Sequence, residues 1–189
     1  MSSIAITGGA TGTGVFSLLA PSTSTNRTIN LPDSNGTILT TATAGVPVNG
    51  PAFSASLSAN QTVTTATTTK LTFNTEQFDT NSNYDNATNY RFTPTVAGYY
   101  QINVALSLSD VGVGVQNVLL RLYKNGSQYL APMRMKTGAG DEIGIVIAQL
   151  VSMNGSTDYL EVYFQVTAAT NCVVYSASNF SGSLVRIAT

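Results

Sequence analysis

The sequence predicts an all-β protein, built as an antiparallel sandwich or jelly roll. Between Ile102 and Leu108, apolar residues occupy every second position, and this period places them on one face of a strand. Two further runs, Val118–Leu122 and Leu160–Val166, alternate in the same way. No window of eleven or more residues carries the apolar stripe of a helix. Many short strands without intervening helices indicate two packed antiparallel sheets.

The first zone of the chain, residues 1–40, predicts a short β meander. Its alternating runs are closed by proline or by Asn-Gly, which end strands or form tight turns. So short a meander cannot bury a core of its own. We therefore expect it to pack against symmetry mates, the other domain or a larger particle. The runs comprise Phe16, Leu18 and Ala20 before Pro21, Ile29 and Leu31 before Pro32, and Ile38 after Asn35-Gly36.

The remaining chain divides into a linker and one domain. Residues 41–50 are rich in Thr, Ala, Gly and Val without a sustained pattern, which is typical of a linker. Residues 51–189 have the length of a single β-sandwich and contain the alternating runs. The predicted organisation is therefore an N-terminal segment, a linker and a C-terminal β domain.

Some strands carry large side chains on both faces. Leu119, Tyr123 and Tyr163 lie on the more polar side of their strands. This pattern favours a sandwich whose outer face meets another subunit. The alternative is that tyrosine is simply tolerated on exposed strands.

The composition excludes several classes of function. Only 9% of the residues are charged and the formal net charge is -1, whereas nucleic acids and anionic membranes attract clustered Lys and Arg. No window reaches the roughly 20 apolar residues of a membrane span. There is no histidine, which removes most catalytic triads and zinc sites. We expect neither nucleic-acid binding, nor membrane insertion, nor an enzyme.

A single cysteine, Cys172, excludes an intrachain disulfide. It stands in an apolar run, so we expect a buried small hydrophobic residue.

The N-terminal residues lack the basic flank and apolar stretch of a signal peptide. A protein that works outside a cell without a signal peptide leaves as part of a particle or by lysis, which favours a phage virion.

Residues 51–189 resemble the globular head of complement component C1q and its tumour necrosis factor relatives. Short motifs of that head recur in order, among them Phe73, Asp79 and Tyr84, then Leu122–Gly126, and Asn179–Gly182 near the end. The resemblance implies a ten-stranded jelly roll that assembles as a tight homotrimer and binds without catalysis. It assigns core or trimer-axis roles to Phe73, Phe92, Gly98, Tyr100, Phe164 and Phe180, with Gly98 allowing a tight turn before the long strand.

The N-terminal zone has a resemblance of its own. Residues 12–21, 28–32 and 36–39 resemble a segment at the start of many tailed-phage fibre and appendage proteins, where it serves attachment or trimer initiation. The resemblance implies that residues 1–40 anchor the chain to a capsid or tail protein, at the virion surface.

One loop region offers a calcium site. Asp141 and Glu142 follow a Gly-Ala-Gly segment, and Asp110 lies near two further glycines. Calcium takes six to eight oxygen ligands, and members of the resembled family often hold calcium near the trimer axis from a comparable loop. Three acids supply too few oxygens unless symmetry triples them, so solvated loop acids are the favoured alternative. No other cofactor is expected.

A binding site for a host-surface glycan or protein is predicted on the distal loops. An exposed tyrosine provides an apolar ring for contact and a hydroxyl group at its end, and asparagine makes directional hydrogen bonds. The alternative is an ordinary polar loop. Asp79 and Asp85 are the carboxylates that a glycoside hydrolase would need, but nothing fixes their separation. The candidate binding residues are Asn81, Asn83, Tyr84, Asn89 and Tyr90.

The sequence therefore predicts a trimeric, non-enzymatic virion protein, either a fibre or appendage or a capsid decoration. Its jelly-roll head would bind the host surface or stabilise the shell. A secreted or cell-surface adhesion module is the second hypothesis and a carbohydrate-active enzyme the third.

Overall fold

The computed structural model describes the second part of the chain. The chain divides into two units, Met1–Ile38 and Leu39–Thr189, and the strands and contacts described below belong to the second. The predicted meander and the calcium candidates Asp110, Asp141 and Glu142 lie outside the described residues. Apart from Ser24, the described residues are 50–109, 116–130, 133–137, 143–168 and 170–188.

The described residues form strands and turns, and none of them is helical. Ten of the strands run for three residues or more, and four have only two residues. The family resemblance implied ten strands, whereas fourteen segments are present because the short pairings between loops also form ladders. The strands are β1 (Ala52–Ser56), β2 (Gln61–Val63), β3 (Thr69–Lys70), β4 (Thr75–Asp79), β5 (Tyr84–Asp85), β6 (Arg91–Phe92), β7 (Ala97–Leu108), β8 (Gln116–Lys124), β9 (Ser127–Gln128), β10 (Met133–Thr137), β11 (Ile143–Asn154), β12 (Leu160–Thr167), β13 (Cys172–Val174) and β14 (Asn179–Ile187).

Two antiparallel sheets pack face to face. Sheet I has the order β2-β13-β7-β14-β1-β4, with β11 also paired to β7. Sheet II has the order β10-β8-β12-β6-β5, with β3 paired to β12 and β9 to β8. Strand β7 organises sheet I because it pairs along its full length with β11 on one side, and with β14 and β13 on the other.

The alternation seen in the sequence sets which side of each strand is buried. Along β7, buried residues alternate with more exposed ones. The side chains of Ile102, Val104 and Leu106 are at most 3% exposed. Period-two patterning is therefore sufficient to place these strands.

Aromatic rings join the two sheets at the centre of the core. Phe53 of β1 stacks on Phe92 of β6 with 4.3 Å between ring centroids and on Tyr84 of β5 with 4.9 Å. Phe180 of β14 meets Phe53 edge-on at 4.8 Å, and Tyr100 meets Phe92 at 5.5 Å. Offset stacked and edge-to-face contacts are the favoured arrangements of such rings.

The residues assigned to core or trimer axis lie in the core of the single chain. None of these aromatic side chains has exposed surface, so they cannot reach a symmetry axis. The set is Phe73, Phe92, Tyr100, Phe164 and Phe180.

An Asn-Gly turn after the Leu-Tyr-Lys run joins β8 to β9. Asn125 and Gly126 both have positive φ, at 54° and 76°, as a two-residue hairpin turn of the primed type requires. The Asn125 side chain also accepts the backbone N–H of Tyr159 at 2.9 Å and donates to Asp158 at 2.8 Å. The turn thus fixes the β8–β9 hairpin against the start of β12.

Gly98 is needed for a reason other than the predicted turn. It lies inside β7, and a Cβ built on it would collide with the backbone oxygen of Arg186 and stand 2.5 Å from Leu184 Cδ1. Strand β14 is irregular at this point, with a register shift between Leu184 and Arg186. Only glycine lets the two strands approach so closely.

We predict that Gly98→Ala lowers the free energy of unfolding by about 2–3 kcal/mol, because the added methyl group overpacks against backbone. Gly144→Ala in β11 is the matched control, since its Cβ meets nothing nearer than 3.8 Å. Alanine there removes backbone freedom from the unfolded chain and is expected to be neutral or stabilising by about 0.5 kcal/mol. Equal losses in chemical denaturation of the two variants would contradict this account.

Candidate functional site

The predicted binding loop is largely a structural element. Asn81 is exposed and Asn89 and Tyr90 are half-buried, but Asn83 and Tyr84 are only 5% and 6% exposed. The expectation that these two are exposed is wrong. Sequence reasoning missed their burial because residue type in a loop does not show which side chains turn inward.

The two buried residues hold the loop to the core. The Tyr84 hydroxyl donates to the backbone oxygen of Phe73 at 2.9 Å, and burial, helped by Asp85, raises the pKa of that hydroxyl above its usual range. The Asn83 carboxamide oxygen accepts the backbone N–H of Thr95 at 3.2 Å. Both side chains stabilise the fold and neither is available to a ligand.

Asp79 and Asp85 also serve the loop. Asp79 accepts the backbone N–H of Tyr84 at 2.6 Å and that of Asn81 at 3.2 Å. Asp85 accepts the backbone N–H groups of residues 87, 88 and 89 at 3.1, 2.8 and 3.1 Å, and the Asn89 amide at 2.7 Å. These donors, the Thr88 N–H above all, lower the pKa of Asp85 to about 2. The carboxylates act as loop caps and not as an acid–base pair.

The outer face of sheet I is apolar. Its strands contain only three charged residues, Glu76 and Asp79 on the edge strand β4 and Arg186 near the end of β14. Of the six large hydrophobic side chains exposed among the described residues, five belong to this sheet. They are Phe78, Tyr99, Val146, Leu150 and Val185, which we call the apolar face.

A shallow cleft opens within the apolar face. Its volume is about 430 Å³, and Tyr99, Leu150, Val185 and residues 186–188 line it. The sequence pattern predicted a subunit contact on the face of Leu119, Tyr123 and Tyr163, but that face belongs to sheet II. The sequence pattern that indicates the apolar face is the run Ile143–Asn154. Its alternate, outward-facing positions include Val146 and Leu150.

The outer face of sheet II carries tyrosine and arginine instead. The rings of Tyr123 and Tyr163 lie 4.2 Å apart, and the Arg91 guanidinium carbon lies 4.5 Å from the Tyr159 ring centroid. Arg121 donates to Gln165 Oε1 at 2.7 Å and to Thr68 Oγ1 at 2.8 Å. We call the set Arg91, Arg121, Tyr123, Tyr159, Tyr163 and Gln165 the tyrosine–arginine face.

An ion pair borders the tyrosine–arginine face. Lys70 Nζ lies 2.6 Å from Glu161 Oε1, and the Tyr163 hydroxyl donates to Glu161 Oε2 at 3.4 Å. Burial and then the Glu161 charge raise the pKa of Tyr163. The polar side chains of this face are therefore already held in place before any ligand arrives.

The described residues offer few other reactive groups. Cys172 is completely buried, as predicted, and burial raises the pKa of its thiol to about 11. No three potential metal-ligating side chains of His, Cys, Asp or Glu converge within the described part of the chain. Among those same residues, no helix has the length and hydropathy needed to cross a membrane. The calcium hypothesis concerns residues outside this part and stays a prediction.

The comparisons with known proteins agree with this fold. The C1q domain family matches residues 52–185. Murine APRIL is 7% identical with a TM-score of 0.54, covering 71% of this chain and 98% of its own. The globular domain of zebrafish complement 1qA protein is 18% identical with a TM-score of 0.47, covering 74% and 99%. Eiger TNF from S. frugiperda is 10% identical with a TM-score of 0.48, covering 77% and 96%.

The chain belongs to the C1q domain family, because the family match spans well over half of its length. The likeness to murine APRIL supports the jelly-roll architecture alone. No curated protein matches the chain by sequence. Domains of the C1q and tumour necrosis factor families are non-enzymatic binding modules that form trimers.

We predict that the Asp85 loop cap makes stability depend on pH. The folded pKa of about 2 lies below the ordinary value, so the stabilisation is present above about pH 4 and is lost as the pH falls towards 2. Asp85→Asn keeps an acceptor but has no charge to titrate. The melting temperature of the variant should lie below that of the parent at pH 7, with the gap closing towards pH 2.

Glu76→Gln is the control for this measurement, since it removes one negative charge from an exposed strand position. A gap between Asp85→Asn and the parent that stays constant from pH 7 to pH 2 would count against the loop cap. So would an equal, closing gap in Glu76→Gln.

Proposed function

We propose that the chain is a non-enzymatic structural protein of a phage virion, in which a homotrimer of C1q-like domains is presented at the particle surface. The observation that carries self-association is the apolar face. Five exposed large hydrophobic side chains lie on a sheet whose strands contain only three charged residues. Tyr99, Leu150 and Val185 line one cleft, and exposed apolar patches of this kind mark interaction sites.

A second copy of the chain is the partner that fits this face. Serine, alanine and asparagine separate the large side chains, for example Ser181, Asn103 and Ala148 in one paired row across β14, β7 and β11. Small neutral groups allow close approach and add no further charge that would have to be desolvated. Membership of a family of trimers supports the same assembly.

The virion role is supported by the sequence of residues 1–40, which resembles the attachment segment of phage fibres and appendages. In this proposal the segment anchors the chain to a capsid or tail protein. Three identical heads then provide avidity, so that weak individual sites give firm attachment to a host surface.

We predict that the full chain is a trimer with three times the monomer mass of 19.7 kDa, and that Leu150→Asp dissociates it. Leu150 is 47% exposed in the single chain, so aspartate there leaves the fold intact but buries an unpaired charge in the trimer. Light scattering at micromolar concentration should report monomer for the variant. Tyr129→Asp is the control, because Tyr129 is 39% exposed and lies away from sheet I.

A monomeric parent would contradict the trimer. An unchanged trimer in Leu150→Asp, or dissociation in both variants, would contradict its location on the apolar face.

Peptide mass spectrometry of virions purified from cultures that carry this sequence tests the particle role. The chain is expected in the particle fraction, at a copy number divisible by three. Its recovery as a free trimer outside particles would favour the secreted or cell-surface binding module instead.

A further inference from the structure

The fold gathers the basic residues of the chain on one sheet. The strands of sheet II contain six of the eight Lys and Arg residues and two of the nine acids. The strands of sheet I contain one basic residue and two acids. The net charge of -1 does not show that basic residues are concentrated in sheet II. The basic residues of sheet II are Lys70, Arg91, Arg121, Lys124, Arg134 and Lys136.

Ion pairs neutralise two of these six cations, since Glu161 pairs with Lys70 and Asp158 pairs with Lys124. Asp85, the other acid of the sheet, accepts the N–H groups of its own loop. Neither Arg91 nor Arg121 has a carboxylate within ion-pair distance among the described residues. Two arginines with unpaired charge therefore lie on the tyrosine–arginine face.

Further basic residues belong to the same sheet. Arg134 and Lys136 of β10 are in register with Leu119 and Asn117 of β8. Strand β8 contributes Arg121 and Lys124, and β6 contributes Arg91. The basic residues are therefore spread from one end of sheet II towards the other and are not confined to a single strand.

The Arg121 guanidinium is held in one orientation at the surface. Its terminal nitrogens donate to Thr68 Oγ1 at 2.8 Å and to Gln165 Oε1 at 2.7 Å. A ligand that meets this guanidinium therefore finds it already oriented.

We propose that the tyrosine–arginine face binds an acidic polysaccharide. Arginine recognises planar anionic groups through its fork of donors, and tyrosine provides an apolar ring with a polar tip for the faces and hydroxyl groups of sugars. Gln165 and the Tyr163 hydroxyl are held by neighbours, which lowers the entropy lost on binding. This inference names the ligand class of the binding module proposed above and rests on that proposal.

An acidic polysaccharide fits the face better than a nucleic acid. Nucleic-acid affinity depends on neutralising many phosphates with clustered cations. The face has few cations, and the Tyr123 and Tyr163 rings already contact each other in a tilted arrangement, so they do not stand apart to receive two bases.

The experiment is a calorimetric titration of the full-length protein with polygalacturonate at low and at physiological salt. Dextran serves as the neutral polymer and single-stranded DNA as the polyphosphate. Binding of polygalacturonate, weakening with salt, is expected without binding of dextran. Arg91→Gln and Arg121→Gln should each weaken binding about tenfold, the equivalent of about 1.4 kcal/mol.

Arg186→Gln is the matched control, because it removes the same charge from the end of β14 in sheet I, and it should change the affinity less than twofold. Absence of polygalacturonate binding would overturn the proposal. So would equal losses in all three variants, or tighter binding of DNA that the same two variants weaken.

Light scattering on the same samples separates this inference from the proposed assembly. Arg91→Gln and Arg121→Gln are expected to stay trimeric, so their loss of affinity is assigned to the face. A parent that binds polygalacturonate as a monomer would support the face while contradicting the trimer.

Discussion

The contact on which the rest of the domain depends is the ring stack around Phe53. This side chain belongs to sheet I, yet two of its ring partners, Tyr84 and Phe92, belong to sheet II. The stack therefore fixes how the two sheets face each other. Because a strand sends alternate side chains to opposite sides, fixing the inner faces also determines both outer faces. The apolar face and the tyrosine–arginine face follow from the same core.

The sequence was informative where a local rule decides the structure. Alternation over Ile102–Leu108 predicted the inner side of β7. The pair Asn125-Gly126 is typical of a two-residue hairpin turn, and both residues have the positive φ that such a turn requires. It failed where the answer depends on tertiary contact. The reason for Gly98 is the approach of Arg186 from a strand far along the chain, and no pattern around either residue shows it.

The candidate site divides in the same way. The presence of Tyr123 and Tyr163 on an outward side could be predicted from period two, but their neighbours could not. Arg91 and Arg121 join Tyr163 only through the pairing of β6 and β8 with β12. Burial of Asn83 likewise follows from its bond to Thr95 across the loop. The net charge of the chain hides the difference in charge between the two sheets, which only the strand topology shows.

The buried position of Cys172 has a consequence for where the domain is able to fold. Its thiol is shielded from solvent and, with a pKa of about 11, stays protonated at neutral pH. Thiolate is the species that exchanges with disulfides and reacts with oxidants. With a single cysteine in the chain, no intrachain cross-link contributes to its maturation. We therefore expect the Cys172 thiol to stay unmodified when the folded domain passes from a reducing to an oxidising compartment.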